Sequence, residues 1–225
     1  MSKPTKDITE ETHPKWSGEI SGMTTLLLGT FPPPPNCLGS SRTTRHYDFY
    51  YPNKNNRLWP SLAKILNYKI RHNNGPEAVQ ERIQIMKLLN LGVENMGETV
   101  LRKGRGAKDA DITITKYRNI FGLLEKHETI QSIILTGYSG KTSTYSAFID
   151  YIINHVDSTR VQIETIATKN LRAGQSFSIR IDGRQITCFV VNSTSPLATK
   201  RVSSESLIEQ LRAAIFEQNV LQKTA

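Results

Sequence analysis

Two short apolar runs, TTLLLG (24–29) and SIILTG (132–137), limit most sharply what this chain can fold into. Each is strand-sized, shows no polar alternation and ends at a glycine, as a buried strand does. Between and after them, apolar residues recur at helical spacing. Leu58, Leu62, Ile65 and Leu66 mark one helix, EAVQERIQIMKLLNLG (77–92) a second, with Gly92 as its C-cap. KYRNIFGLLEKH (116–127) and TSTYSAFIDYIINHV (142–156) read as two more. A last helix over 203–219 opens on Ser203 or Ser204 as N-cap. VQIETIA (161–167) reads as a strand, and 176–191 as a hairpin turning at Asp182-Gly183. The glycine-rich stretch 93–112 reads as loop. Strands alternating with helices predict a layered α/β fold with a mainly parallel sheet. Ligands in such sheets sit at the carboxyl ends of the strands. TFPPPP follows the first strand there, and NSTSPLATKR follows the last.

The polar first twenty residues predict a flexible arm (1–20), followed by a single domain over 21–225. At 225 residues the chain can bury a sizeable core in one domain. No apolar run approaches the ~20 residues of a membrane span, and the N-terminus lacks the apolar segment of a signal peptide. Cys37 and Cys188 make no disulfide framework, so a reducing cytoplasm is expected. The five histidines show no metal-ligand spacing, and no metal is expected.

Formal net charge is +9, although the first twenty residues carry three Lys and four acids. The excess lies in the body, with nine Lys/Arg against three acids over 42–87 and seven against three over 102–126. Such an excess suits a polyanionic partner, and it equally suits a merely basic surface.

Three segments carry chemistry. They are Gly29-Thr30-Phe31-Pro32, the run from Tyr50-Tyr51 through Asn56-Arg57-Leu58-Trp59-Pro60, and Asn192 to Arg201. Together and in this order they resemble the uracil-DNA glycosylase superfamily, nearest its hypoxanthine-DNA glycosylase and mismatch-specific uracil glycosylase branches. The match is most specific over 24–66 and 188–201. Gly92 and Lys108-Asp109-Ala110-Asp111-Ile112 echo the superfamily more loosely.

The resemblance implies a three-layer α/β/α sandwich. It implies monofunctional hydrolysis of a base–sugar bond in base-excision repair, acting as a monomer on DNA that contains a deaminated base (hypoxanthine, xanthine or uracil). No organic cofactor or metal is implied. Asn56 falls at the catalytic position of the hypoxanthine branch. Gly29, Thr30, Phe31, Tyr51 and Ser193 fall where the base is bound, with Tyr51 stacking on it. Ser195, Pro196, Leu197, Thr199, Lys200 and Arg201 fall on the DNA-binding loop, with Leu197 as a wedge. Two departures stand out. Phe31 occupies the place of the usual water-positioning Asp or Asn, and Ser193 that of the usual histidine.

The residues also admit plainer readings. Asn56 can be a helix cap, Tyr51 packing for a helix start, Trp59 core, and Ser195-Pro196 a turn. Arg57 reads equally as a solvated cation or a buried pocket-ordering group. The cluster Arg102, Lys103, Arg105 and Lys108 reads as one basic loop. For the whole chain, the alternative is a catalytically silent nucleic-acid-binding domain. A hydrolase of free nucleosides is disfavoured by the basic body.

Overall fold

A computed structural model describes residues 7–34, 45–163, 171–198 and 202–216. In chain order the strands are β1 (Ile8–Thr12), β2 (Thr25–Gly29), β3 (Leu91–Asn95), β4 (Gly97–Lys103), β5 (Ile112–Tyr117), β6 (Ser132–Thr136), β7 (Val161–Ile163), β8 (Ser176–Ile181) and β9 (Arg184–Val191). The helices are α1 (Leu58–Ile65), α2 (Gly75–Leu89), α3 (Ile120–Lys126), α4 (Thr144–His155) and α5 (Ser204–Phe216).

Six strands form the central sheet in the order β3-β2-β6-β9-β8-β7. β3, β2, β6 and β9 run parallel; β8 pairs antiparallel with β9, and the edge strand β7 pairs antiparallel with β8. Every residue of β2, β3 and β6 is buried, so both faces of the sheet are covered. α1 packs on α5, while α4 and α5 lie against β6. The expected three-layer sandwich with its mainly parallel sheet is the architecture found.

Several sequence expectations differ from the structure. α2 ends on Asn90 in the left-handed conformation, not on Gly92, and the chain passes straight into β3. After glycine, Asn is the residue that takes that conformation at a helix end. Gly92 serves packing instead, since a Cβ there would lie 2.3 Å from the Met23 sulfur. The stretch read as loop over 93–112 holds most of β3 and all of β4. β4 is the centre of a second, antiparallel sheet ordered β1-β4-β5. Its flanking glycines and charges hid a strand whose inward residues are Val100 and Arg102. The segment read as an arm is, from Asp7, built into the fold. β1 pairs with β4 along its length, His13, Trp16 and Ile20 are buried, and the Trp16 indole donates to Asp48 at 2.7 Å.

The helix read over 116–127 begins only at Ile120, because Lys116 and Tyr117 close β5 in the second sheet; the remaining elements lie close to where periodicity placed them. The 176–191 hairpin turns at Asp182 (φ 47°) and Gly183 (φ 84°), the pair of positive φ values that a two-residue turn demands. Ser203 caps α5, accepting from the Ser206 amide at 3.1 Å. Cys188 is buried in β9; Cys37 lies outside the described residues.

Candidate functional site

A cleft partly open to solvent lies at the carboxyl ends of β2, β3 and β6. This is the position a parallel sheet reserves for ligands. Its wall draws on all three segments singled out in the sequence. Gly29, Thr30, Phe31, Tyr51, Asn56, Ser193, Ser195 and Pro196 all line it. Leu197 follows at the rim, half exposed. Thr199, Lys200 and Arg201 lie outside the described residues.

Tyr51 has a left-handed backbone, φ 51°, uncommon for a large side chain and costing about 1–3 kcal/mol. Its hydroxyl donates to Thr136 Oγ1 at 3.0 Å, because the Thr136 proton is already committed to the Leu28 carbonyl at 2.8 Å. The ring is thereby pinned across the ends of β2 and β6. Gly29 makes room for it. A Cβ there would meet the Tyr51 hydroxyl at 2.7 Å and Asn95 Oδ1 at 2.5 Å. Burial pushes the phenol well above its usual range, so it remains a neutral donor.

The asparagine-rich run 53–56 is a chain of side-chain-to-backbone turns. Asn53 Oδ1 accepts from the Asn55 amide at 2.7 Å, the Asn56 amide donates to the Asn53 carbonyl at 2.9 Å, and Asn56 Oδ1 accepts from the Leu58 amide at 2.9 Å. Asn56 thus satisfies one of the orphan donors at the start of α1. It also lines the cleft, and its Nδ2 group makes no hydrogen bond to a described residue. Asn56 is not the N-cap itself, which is Arg57 without a side-chain cap bond; it serves the first helical amide from one position outside the cap and also lines the cleft. Trp59 is core: buried, stacked on Phe49 at 6.2 Å and donating to the Tyr50 carbonyl at 3.0 Å.

Arg57 is buried, and the pocket-ordering reading describes it. Its guanidinium donates to the Ser193 carbonyl at 2.8 Å and the Val202 carbonyl at 2.7 Å, while its backbone amide donates to the Thr194 carbonyl at 3.0 Å. One side chain therefore ties the loop after β9 to the start of α1. Within that loop Ser193 Oγ accepts from the Ser195 amide, and Ser195 Oγ from the Leu197 amide. These bonds hold the Ser195–Leu197 turn at the rim.

Arg102 departs from the reading of its cluster as one basic loop. It is buried, pairs with Glu11 at 2.8 Å, and donates to the Gly106 and Pro32 carbonyls at 2.8 and 3.1 Å. Arg45 donates to the Pro33 carbonyl at 2.6 Å. Proline offers no N–H, so the carbonyls of this wall are held by donors from elsewhere.

Among the cleft residues not proposed as site residues from the sequence are Asn95 and Asp109. Asn95 ends β3 opposite Gly29 in the ladder; its Nδ2 lies 2.8 Å from His13 Nε2. Asp109 is the one carboxylate among the described residues lining the cleft. The residue as a whole is exposed, and it lines the cleft. Desolvation by the surrounding protein outweighs the Thr30 hydroxyl and the Arg102 charge, and raises the carboxyl to about 6. Thr30 also meets Thr144 Oγ1 at 3.0 Å, and Thr144 donates to the Thr136 carbonyl at 3.0 Å. Thr30 therefore has one proton to turn either to Thr144 or to an ionised Asp109. The signal for Asp109 was its place in the Lys108–Ile112 echo. The signal for Asn95 was hidden by reading its strand as loop.

No protein-family profile and no curated protein matches the chain. Among solved structures, it is similar to the solution NMR structure of a "putative uracil DNA glycosylase" from Methanosarcina acetivorans. The match covers 95% of this chain and 99% of that one, with a TM-score of 0.55 at 12% identity. The fold is uracil-DNA-glycosylase-like. At that identity the likeness extends to the path of the chain and to no particular branch. In a glycosylase-like fold of this kind, the cleft described here lies at the strand ends where a ligand is expected.

Proposed function

We propose that the chain is a monofunctional DNA glycosylase that hydrolyses the N-glycosidic bond of a deaminated base flipped out of DNA. The observation that carries this reading is the make-up of one cleft: a pinned aromatic ring, three carboxamides (Asn53, Asn56 and Asn95) and a single carboxylate among the described residues. The Tyr51 ring offers a stacking surface to replace the neighbours a flipped base loses. Asn95 presents Oδ1 to accept from the base's ring N–H, and backbone amides at Thr30 and Phe31 donate to the adjoining carbonyl. Uracil, hypoxanthine and xanthine share that N–H and carbonyl pair, and Ser193 bounds the pocket from the loop after β9.

Asp109 is the group able to take a proton from water. A carboxyl near 6 is ionised at neutral pH yet basic enough to assist an attacking water. Phe31 has vacated the place usual for such a group, and Asp109 supplies it from the loop before β5. Asn56, with Oδ1 committed to the helix, acts through Nδ2 as a donor to the departing base or the water. The bond breaks to leave an oxocarbenium-like sugar and a base anion; water adds to the sugar and its proton passes to Asp109.

The silent-domain alternative drew its support from the loss of both usual catalytic groups, and the carboxylate in the cleft weakens that support. A single-turnover assay on duplexes carrying one uracil, hypoxanthine or xanthine separates the two. Abasic sites are expected with at least one lesion. Tight duplex binding with no abasic product from any of them would favour the silent domain.

A further inference from the structure

We propose that His13 is a positioning residue that fixes which face of the Asn95 carboxamide meets the base, and so confines recognition to bases with a ring N–H. The inference rests on the reading of the cleft as a base pocket.

The proton placement follows from two contacts. His13 Nδ1 lies 2.6 Å from the Pro14 carbonyl oxygen, which can only accept. Nδ1 therefore carries the hydrogen, and in the neutral ring Nε2 is a lone pair. Nε2 lies 2.8 Å from Asn95 Nδ2, so the amide nitrogen donates to it. Asn95 Oδ1 is left on the cleft side, against Gly29, where only the missing Cβ gives it room. Turning the amide over would set Oδ1 against the Nε2 lone pair and leave both buried acceptors unpaired.

The ring cannot easily relax to permit that reversal. It is buried, edge-on to Trp16 at 5.5 Å and to Phe31 at 5.9 Å, with Tyr50 at 5.7 Å. Arg118 Nη1 sits 3.3 Å from Nδ1, but a protonated Nδ1 cannot accept from it, so that contact is a charge beside the ring, not a bond. Burial, with the Arg118 and Arg45 charges and against the pull of the Pro14 carbonyl and Glu98, lowers the imidazole to about 4 and keeps it neutral. β1 delivers His13 to this place through its pairing with β4, and the His13 amide donates to the Glu98 carbonyl at 2.7 Å.

The chemical consequence is a sign. Uracil, hypoxanthine and xanthine present an N–H where cytosine and adenine present a bare ring nitrogen. A carboxamide showing oxygen accepts from the first group and repels the second. One showing nitrogen does the reverse. A site built to hydrogen-bond one pattern rejects the other strongly, because the mismatch leaves buried polar groups unpaired.

The test separates recognition from chemistry by using duplexes with a single 2′-fluoro-deoxyuridine or 2′-fluoro-deoxycytidine, whose glycosidic bonds resist hydrolysis. Wild-type protein is expected to prefer the uracil duplex at least tenfold. His13→Phe, which keeps a ring but loses the acceptor, should bring that ratio close to one. His13→Gln, which restores an acceptor, should recover most of it. Imidazole nitrogen chemical shifts of the wild type should show Nδ1 protonated and Nε2 bare. A protonated Nε2, no preference in the wild type, or an unchanged ratio in His13→Phe with only a lowered melting point would overturn the proposal. Preference without abasic product from ordinary lesion duplexes would instead count against the hydrolytic reading and leave the positioning role standing.

Discussion

At the scale of single residues the cleft combines groups that are also structural, so substitutions report on two properties at once. Asn56→Ala removes a bond to the Leu58 amide and a donor facing the cleft. The first loss predicts about 1 kcal/mol of stability, the second a fall in single-turnover rate of about 100-fold. A lowered melting point with a normal rate would reduce Asn56 to a cap. Asp109 behaves oppositely. Its folded-state carboxyl is raised to about 6, above the unfolded value near 3.9. The folded protein therefore holds that proton more tightly, and ionisation penalises folding above about pH 6 but not below the unfolded value. Asp109→Asn should thus melt no lower than wild type at pH 7.5, and higher if the penalty is the larger effect, while single-turnover hydrolysis falls at least ~100-fold. A sharp drop in melting temperature with activity retained would assign Asp109 a scaffolding role.

At the scale of elements, the loop after β9 is held to the start of α1 through Arg57, and it presents Leu197 at the rim. An apolar wedge matters only once a nucleotide has left the stack, whereas charge holds the undistorted duplex. Leu197→Ala should therefore slow lesion processing by roughly tenfold and leave plain-duplex affinity within about twofold; equal losses would make it loop packing. The elements also show what the sequence could convey. β2 and β6 were legible because buried parallel strands are unbroken apolar runs, and α1, α4 and α5 because their apolar faces repeat at helical spacing. β3 was not, because Gly92 and Glu94 interrupt it. Besides the Asn95 amide, Glu94 is held in the interior by Arg118 at 2.8 Å and the Tyr50 hydroxyl at 2.8 Å, partners remote in sequence. β1 was not, because its pattern is polar and it exists through pairing with β4. The missed site residues follow from the missed elements: Asn95 closes β3, and His13 follows β1. Asp109 sat in a recognised motif, but its raised carboxyl comes from tertiary burial that no local pattern encodes.

At the scale of the molecule, the charge excess belongs to the body that carries the cleft. Lys54 and Lys64 line a groove that shares Asn56 with the cleft, and Lys103, Arg105 and Lys108 are on or near the loop bearing Asp109. A strand whose flipped base enters the cleft would run its phosphates past these cations. Affinity for undamaged duplex should accordingly fall steeply with salt, with a log–log slope of about −3 to −5 for four or five phosphates; a flat response would remove nucleic acid as the partner. Hydrolysis of a deaminated base assisted by Asp109 is tested most directly by the single-turnover release of base from uracil, hypoxanthine and xanthine duplexes by wild type and Asp109→Asn, followed from pH 5 to 8. Abasic product is expected from at least one lesion, with a wild-type rate that rises with pH and levels off above about 6, and a much slower rate in the variant with that rise absent. No product from any lesion, or a variant that matches wild type across the pH range, would contradict it.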